Sequence, residues 1–432
     1  MRGGKPLRGE ITLAGAKNAT TKLMVASLLT DEPCLLENFP NIGDAAITQE
    51  LCEAFGSTVK RDAATCILHT PKITNTRAVS LSRRNRIPIL ALGPLLARAG
   101  EAEVPIVGGD KIGPRPVNLH LKALEAMGAK IEEGETSYRA SAPQGLRGAA
   151  IRFEFPSVGA TENAILAAVL AQGKTTLENA ATEPEVLDVI KFLQKMGAII
   201  ELGANRLIVI EGVKKLRGAR HRIMPDRNEA ASFASLAAAT GGRIFVRDAR
   251  QDDLITFLNA FRRAGGEYEV RDNGIEFFRP VRGKPLTGLR AAQIETGTHP
   301  GFMTDWQQPF AVFLTQAEGC STIHETIYED RFGYAADLQL LGAKISVSAE
   351  CAGTPCRFQG KGFLHSAAIE GPTSLRGGAL KIRDLRSGIA HVIAALTAHG
   401  ESIIEGVEEL DRGYERIDER LRALGAEMRR EA

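Results

Sequence analysis

No run of about 20 apolar residues occurs in this 432-residue chain, and a membrane-spanning helix needs one of that length. The opening stretch, MRGGKPLRGEITL, lacks the apolar core of a secretory leader. A cytoplasmic protein with no membrane insertion is therefore expected. Charge of one sign is also lacking. The formal net charge is +2 and no basic run resembles a phosphate-tracking footprint, which excludes nucleic acid as a partner. Cysteine is sparse and scattered, at Cys34, Cys52, Cys66, Cys320, Cys351 and Cys356. Only CAGTPC brings two close together, and its spacing matches neither a zinc knuckle nor a redox dithiol. These thiols read as buried or incidental in a reducing compartment, and no metal is assigned.

What is present is length and repetition. The chain exceeds what one hydrophobic core usually supports, so two domains are expected. A pattern of small-apolar helix, glycine, strand, second helix, then Gly-Ala or its like and another strand recurs six times, at intervals of roughly 70 to 80 residues, longer than solenoid units. The copies open at KNATTKLMVASLL, RIPILALGPLLAR, SVGATENAILAAVL, RNEAASFASLAAAT, DWQQPFAVFLTQAE and LRSGIAHVIAALTA. They close at LCEAFGSTVK, LEAMGAKIEE, LQKMGAIIEL, FRRAGGEYEV, LQLLGAKISV and LRALGAEMRR. The first helix of each copy is apolar nearly all round, which marks it as buried. The second is amphipathic: in PEVLDVIKFLQKMG, Val186, Val189, Ile190 and Leu193 make one stripe. The expected fold is α/β, two lobes of three repeats each, with helices inside and sheets outside.

Charged and capping residues gather at the entrance to each first helix: Lys17 and Asn18, Arg86, Ser157 to Asn163, Asp226 to Glu229, Asp305, and Arg383 to Gly388. A helix N-terminus has free N–H groups and the positive end of the dipole, so it attracts anions. Each residue taken singly reads equally as a cap or a solvated charge. Six coincident positions point instead to a strongly anionic ligand. The segment GGDKIGPRPVNLH (108–120) is too rich in glycine and proline for a long helix, and reads as a shaped loop carrying Asp110 and Arg115.

The motifs GAKNA, ALGPLLAR, GGDKIGPRPVNLH, PSVGATEN, EPE, PDR, GFMTDWQ, YEDRF and DLRSG stand in that order along the chain. In these the sequence resembles the enolpyruvyl transferases that act on UDP-N-acetylglucosamine, from about Leu7 to Arg422. The resemblance implies a two-domain inside-out α/β barrel, with residues 17–224 as one domain and 1–16 with 225–432 as the other. It implies transfer of enolpyruvate from phosphoenolpyruvate to the 3′-hydroxyl of UDP-N-acetylglucosamine, with release of phosphate, no cofactor, and a place at the opening of peptidoglycan synthesis. It also implies roles. Lys17 and Arg115 hold phosphate, Asn18 follows in the same site, Arg386 closes on phosphoenolpyruvate, and Asp305 is a candidate base. Arg86, Arg115, Pro116, Val117, Asn118, Leu119, Ser157, Val158 and Ile327 line the nucleotide-sugar site, and Arg331 is a further active-site arginine.

Two positions depart from the family's pattern. Most members have cysteine where this chain has Asp110, the position of the proton shuttle at C3 of phosphoenolpyruvate; a carboxyl group there implies fosfomycin resistance. Phe155 replaces a common lysine, which removes one contact to the nucleotide. Another acceptor, such as a shikimate phosphate, a non-catalytic nucleotide-sugar-binding paralogue and an RNA-processing cyclase are the competing readings. The loop at 108–120 opposes the first, the retained Lys17, Arg115, Asp305 and Arg386 oppose the second, and the near-neutral charge opposes the third.

Overall fold

The computed structural model describes residues 1–79, 86–109, 112–280 and 288–431. Asp110, and Arg83 to Asn85 beside Arg86, lie outside the described residues. Residues 15–79, 86–109 and 116–224 form one compact unit; residues 1–14, 112–115 and 225–431 form a second. Each has its own apolar core. The chain leaves and re-enters each unit beside itself. Ala16 N–H donates to Met224 O at 2.8 Å in the first, and Asp226 N–H to Ala14 O at 2.9 Å in the second.

In the 15–224 unit, helix Val158–Ala168 is buried at every position from Ala160 onward. From Ala164 on it is alanine, isoleucine and leucine alone, and even Thr161, Glu162 and Asn163 of its first turns are buried, so it sits inside. Ser157 caps it, its Oγ accepting from Ala160 N–H at 3.4 Å. Helix Lys17–Ala26 is buried from Ala19 on, save Lys22. Helix Pro184–Lys195 buries Val186, Val189, Ile190 and Leu193 as one stripe. The sheets share an order. Arg220–Arg222 runs parallel to Cys34–Glu37, which pairs antiparallel with Thr65–His69 and that with Thr58–Asp62. Ala150–Arg152, Lys174–Glu178, Ile208–Glu211 and Ile199–Leu202 follow the same arrangement.

The 225–431 unit is built alike. Helices Arg227–Thr240, Gln307–Leu314 and Leu385–Thr397 pack on one another. Phe257, Phe261, Phe302, Trp306, Phe310 and Phe313 form an aromatic cluster, most pairs edge-on, as ring quadrupoles prefer. Strand Arg8–Thr12 runs parallel to Arg243–Arg247, so the N-terminal residues complete a sheet of this unit. A second sheet runs Gln293–Glu295, Gly319–His324, Ser366–Gly371, Lys344–Ser348.

One element differs from the sequence reading. Helix Asn118–Ala126 begins inside the segment read as a loop. Asn118 follows the last proline, so nothing there obstructs a helical turn. Among the described residues, no helix is long and apolar enough to cross a membrane.

Candidate functional site

In the 225–431 unit the residues singled out from sequence converge on one carboxylate. Asp305 lies in the 3₁₀ turn Thr304–Trp306, ahead of the helix rather than capping it. Arg331 pairs with its Oδ1, and Arg386 Nε lies 3.1 Å from its Oδ2. Both arginines are about 4% exposed, so the pairs are screened little by water. Burial alone would depress the Arg386 guanidinium, but Asp305, Tyr414 and Asp226 together outweigh it and the net shift is upward. Arg386 also donates to Tyr414 Oη at 3.3 Å, and Tyr414 and Ser232 share a hydrogen bond of 2.8 Å. Burial pushes the Tyr414 hydroxyl up to about 12, so it stays protonated near neutrality. Asp384 fixes the start of Arg386's helix by accepting from Arg386 N–H and Ser387 N–H.

Glu325 sets the neighbouring loop. Fully buried, its Oε2 accepts from Thr304 Oγ1 at 2.8 Å and Gln307 Nε2 at 3.0 Å, and its Oε1 from Ile327 N–H at 2.7 Å and Tyr328 N–H at 3.0 Å. One carboxylate thus ties Ile327 to the turn that carries Asp305. The guanidinium groups of Arg115 and Arg331 lie 5.4 and 5.5 Å from the Tyr328 ring centroid, within cation–π range. Arg115 itself adopts φ 45°, a left-handed backbone unusual for arginine. Close by, Gly113 stands at φ 125°, and a Cβ there would come within 2.3 Å of Glu329 Oε2. Asp330 N–H donates to Ile112 O at 3.3 Å. Residues 112–115 are therefore seated on Tyr328–Asp330.

In the 15–224 unit, Lys17 opens its helix and its Nζ lies 2.8 Å from Asp44 Oδ2. Asn18 follows in the first turn, and its carbonyl accepts from Lys22 Nζ at 2.6 Å. Lys22 Nζ lies 3.9 Å from Glu162 Oε2. Burial pushes the Glu162 carboxyl up to about 7, against the pull of Lys22. Burial likewise lowers Lys22. Val117 leads into the Asn118 helix, with Leu119 half-buried in its first turn and Pro116 exposed before it. His120, on that helix, is buried with Nδ1 3.3 Å from Asn163 Nδ2. A Cβ at Gly159 would lie 3.0 Å from His120 Cε1, so glycine lets the Ser157–Val158 turn approach this ring. Burial, with the Arg86 charge added, pushes the His120 imidazole down to about 3; it is neutral. Arg86 precedes the 3₁₀ turn Ile87–Ala91 rather than a helix proper.

The structure therefore groups Asp305, Arg331 and Arg386 in one cluster, with Arg115 and Ile327 around the adjoining Tyr328. Lys17 and Asn18 group with Asp44 and Lys22, and Arg86, Ser157 and Val158 with His120 and Asn163. Sequence reasoning missed Asp44, Lys22, Glu162, His120, Glu325, Tyr328 and Tyr414. Glu325 and Tyr328 had a signal, since both lie within three residues of Ile327 or Arg331.

A family model described as EPSP synthase (3-phosphoshikimate 1-carboxyvinyltransferase) matches residues 1–421. The crystal structure of the enolpyruvyl transferase NikO from Streptomyces tendae superposes with a TM-score of 0.85, at 22% identity over 99% of this chain and 97% of that one. EPSP synthase from Acinetobacter baumannii superposes at 0.68, with 19% identity over 95% and 94%. The fold is that of an enolpyruvyl transferase. Relatives described as UDP-N-acetylglucosamine 1-carboxyvinyltransferase are closer in sequence. That of Protochlamydia amoebophila is 47% identical over 99% of this chain and 93% of its own, and that of Chlamydia pneumoniae 49% over 98% and 92%. The chain belongs to the UDP-N-acetylglucosamine 1-carboxyvinyltransferase family.

Proposed function

We propose that the protein transfers the enolpyruvyl group of phosphoenolpyruvate to the 3′-hydroxyl of UDP-N-acetylglucosamine and releases phosphate, the step that commits the sugar to peptidoglycan. The observation that carries this is identity of 47–49% over nearly the whole chain to relatives of that name. The chemistry is addition followed by elimination. A proton added to C3 makes C2 electrophilic, the sugar oxygen bonds C2 as it gives up its own proton, and loss of a C3 proton then expels phosphate. Cations must hold a phosphate and a carboxylate, one group must carry the C3 proton, and another must take the hydroxyl proton.

In this reading Lys17, Arg115 and Arg386 hold phosphoenolpyruvate, with Asn18 beside Lys17. Asp305 takes the hydroxyl proton. Arg86, Pro116, Val117, Asn118, Leu119, Ser157, Val158 and Ile327 receive the nucleotide sugar. The double ion pair at Asp305 supports these roles. A carboxylate shared by two guanidiniums is a poor base, and an incoming phosphate or carboxylate draws the guanidiniums toward itself, leaving Asp305 more basic as substrate arrives. Asp110 carries the C3 proton; a carboxyl group can give and recover one proton, as a thiol does. The recurrent sheet order and all-buried helices support a barrel of six repeats, three per domain, helices inside and sheets outside. The domain limits of this reading are 17–224 against 1–16 with 225–432.

A phosphate-release assay tests the function. UDP-N-acetylglucosamine with phosphoenolpyruvate should release phosphate stoichiometrically with product, and shikimate 3-phosphate in its place should release none. Turnover only with shikimate 3-phosphate, or with neither acceptor, rejects the proposal.

A further inference from the structure

His324, Cys351, Cys356 and His365 present one donor atom each within 4.8 Å of one another, on the sheet that carries Glu325 and Ile327 at its margin. Cys351 Sγ lies 3.8 Å from Cys356 Sγ and 3.4 Å from His365 Nε2. With zinc–sulfur bonds of about 2.3 Å and zinc–nitrogen bonds of about 2.0–2.1 Å, a tetrahedron has edges of about 3.8 Å between sulfurs and about 3.6 Å between sulfur and nitrogen. The two observed separations fit those edges, and the remaining donors lie within 4.8 Å.

Both imidazoles are oriented as metal ligands are. Glu295 Oε2 lies 3.0 Å from His324 Nδ1, and the Phe363 carbonyl 2.7 Å from His365 Nδ1. Each acceptor keeps the ring proton on Nδ1 and leaves a lone pair on Nε2. His324 Nε2 is buried and without a hydrogen-bond partner, in a side chain 1% exposed, and the residue offers a ring nitrogen within 4.8 Å of both cysteine sulfurs. A buried imidazole nitrogen with no partner is costly unless something bonds it. Phe358 N–H donates to Cys356 Sγ at 3.4 Å, which favours a sulfur carrying negative charge.

The chain around the tetrad needs a staple. Strands Lys344–Ser348 and Ser366–Gly371 pair antiparallel, yet the link between them runs through residues 349–365 without a strand or helix. The links in the four other antiparallel hairpins are two to five residues long. Loops beyond about 12–15 residues are uncommon in compact domains unless they serve a function. Three of the four donors lie in this loop, one near its start, one near its middle and one at its end, and His324 closes the adjoining strand. Between them, Arg357 donates to Ile327 O and reaches Glu329 Oε1. Fixing the loop therefore also fixes the Ile327–Glu329 turn.

The geometry points to a structural site in which His324 Nε2, Cys351 Sγ, Cys356 Sγ and His365 Nε2 bind one thiophilic divalent ion, zinc by its donor set. On binding, each thiol releases its proton to solvent as its sulfur bonds the metal. Four protein donors leave no open position, so the ion takes no part in transfer chemistry. Chain spacing conceals this, because one histidine closes a strand and the other ends a distant loop; the sequence reading of no metal at CAGTPC is here replaced.

The full-length chain, purified without chelator, should contain about one zinc per chain by inductively coupled plasma mass spectrometry. After exchange, Co²⁺ should give intense tetrahedral visible bands and a thiolate charge-transfer band. Cys351→Ser and Cys356→Ser should each lose stoichiometric metal, whereas Cys320→Ser, altering a cysteine outside the tetrad, should keep it. Glu295→Gln retains every ligand and should weaken Co²⁺ affinity about 10–100-fold. Chelation should speed proteolysis within 349–365. Wild-type protein that gives no thiolate–cobalt band, that holds Cys351 and Cys356 as a disulfide, or that binds metal no better than its serine variants overturns the assignment.

Discussion

Asp305 stands between Arg331 and Arg386, one carboxylate oxygen to each guanidinium, with all three side chains largely shielded from water. Removing the carboxylate leaves two buried cations facing each other, which costs about 3–5 kcal/mol when a buried pair is broken from one side. Asp305→Ala is therefore expected to unfold at lower urea, and inorganic phosphate is expected to restore more stability to the variant than to wild type. Equal stabilisation of both by phosphate would mean that these arginines do not accept an anion.

Arg115→Ala is expected to lower kcat/KM by about 2–4 kcal/mol of transition-state stabilisation. Its guanidinium lies over the Tyr328 ring on a loop outside the apolar cores, so the thermal midpoint should barely move. Phosphate-release kinetics beside a melting curve separate the two effects. Near-normal turnover removes Arg115 from the phosphate-holding set.

Asp110 carries a prediction drawn from its side chain alone. Opening the epoxide of fosfomycin needs a soft, strong nucleophile, and a carboxylate is a far weaker one than a thiolate. Wild type should turn over and show no adduct by intact mass after incubation with drug and nucleotide sugar. Asp110→Cys should stay active and gain one adduct with loss of activity. Asp110→Asn should lose most activity, having no proton to give. A wild-type chain that is alkylated and inactivated like Asp110→Cys places the shuttle elsewhere.

His120 predicts a pH dependence of stability. Its folded-state value, about 3, lies below the ordinary 6.5, so the neutral ring stabilises fully above 6.5 and that contribution is lost as pH falls toward 3. Glu162, raised to about 7, acts in the opposite sense, its contribution being lost as pH rises from 4.5 through 7. Wild type alone therefore shows a muted slope, and comparison with His120→Gln isolates the histidine. Between pH 7 and pH 5 the wild type should lose about 2 kcal/mol relative to the variant, measured by urea unfolding. A constant difference would mean that His120 is solvated.

How far the sequence carries can be judged from particular residues. The Val158 and Leu385 helices are legible because small and aliphatic residues fill all sides of their later turns, which can only be buried. The Val186 stripe is legible because its period is helical. Asp305, Arg331 and Arg386 are each marked by a motif, but their meeting at one carboxylate is tertiary. Glu325 has only its nearness to Ile327 to mark it, because its four hydrogen bonds come from two separate segments and are tertiary. His120 ends a segment read from sequence as a loop, and its burial shows only once Gly159 lets the next helix approach its ring. The start of the Asn118 helix was hidden by the prolines before it.

The pairing of Arg8–Thr12 with Arg243–Arg247, and of Arg2–Gly3 with Gly400–Glu401, bears on the order in which the protein is made. On the ribosome strand Arg8–Thr12 emerges without its partner and stays so until Arg243–Arg247 has followed. Residues 15–224 can meanwhile complete their own core, since domains fold as units as they are synthesised. The unit that holds Asp305 and Arg386 must wait for its earliest strand and its last helices to meet. The residues up to and into that early strand, RGGKPLRGE, are charged and glycine-rich, with little to draw them into a wrong partner during the delay.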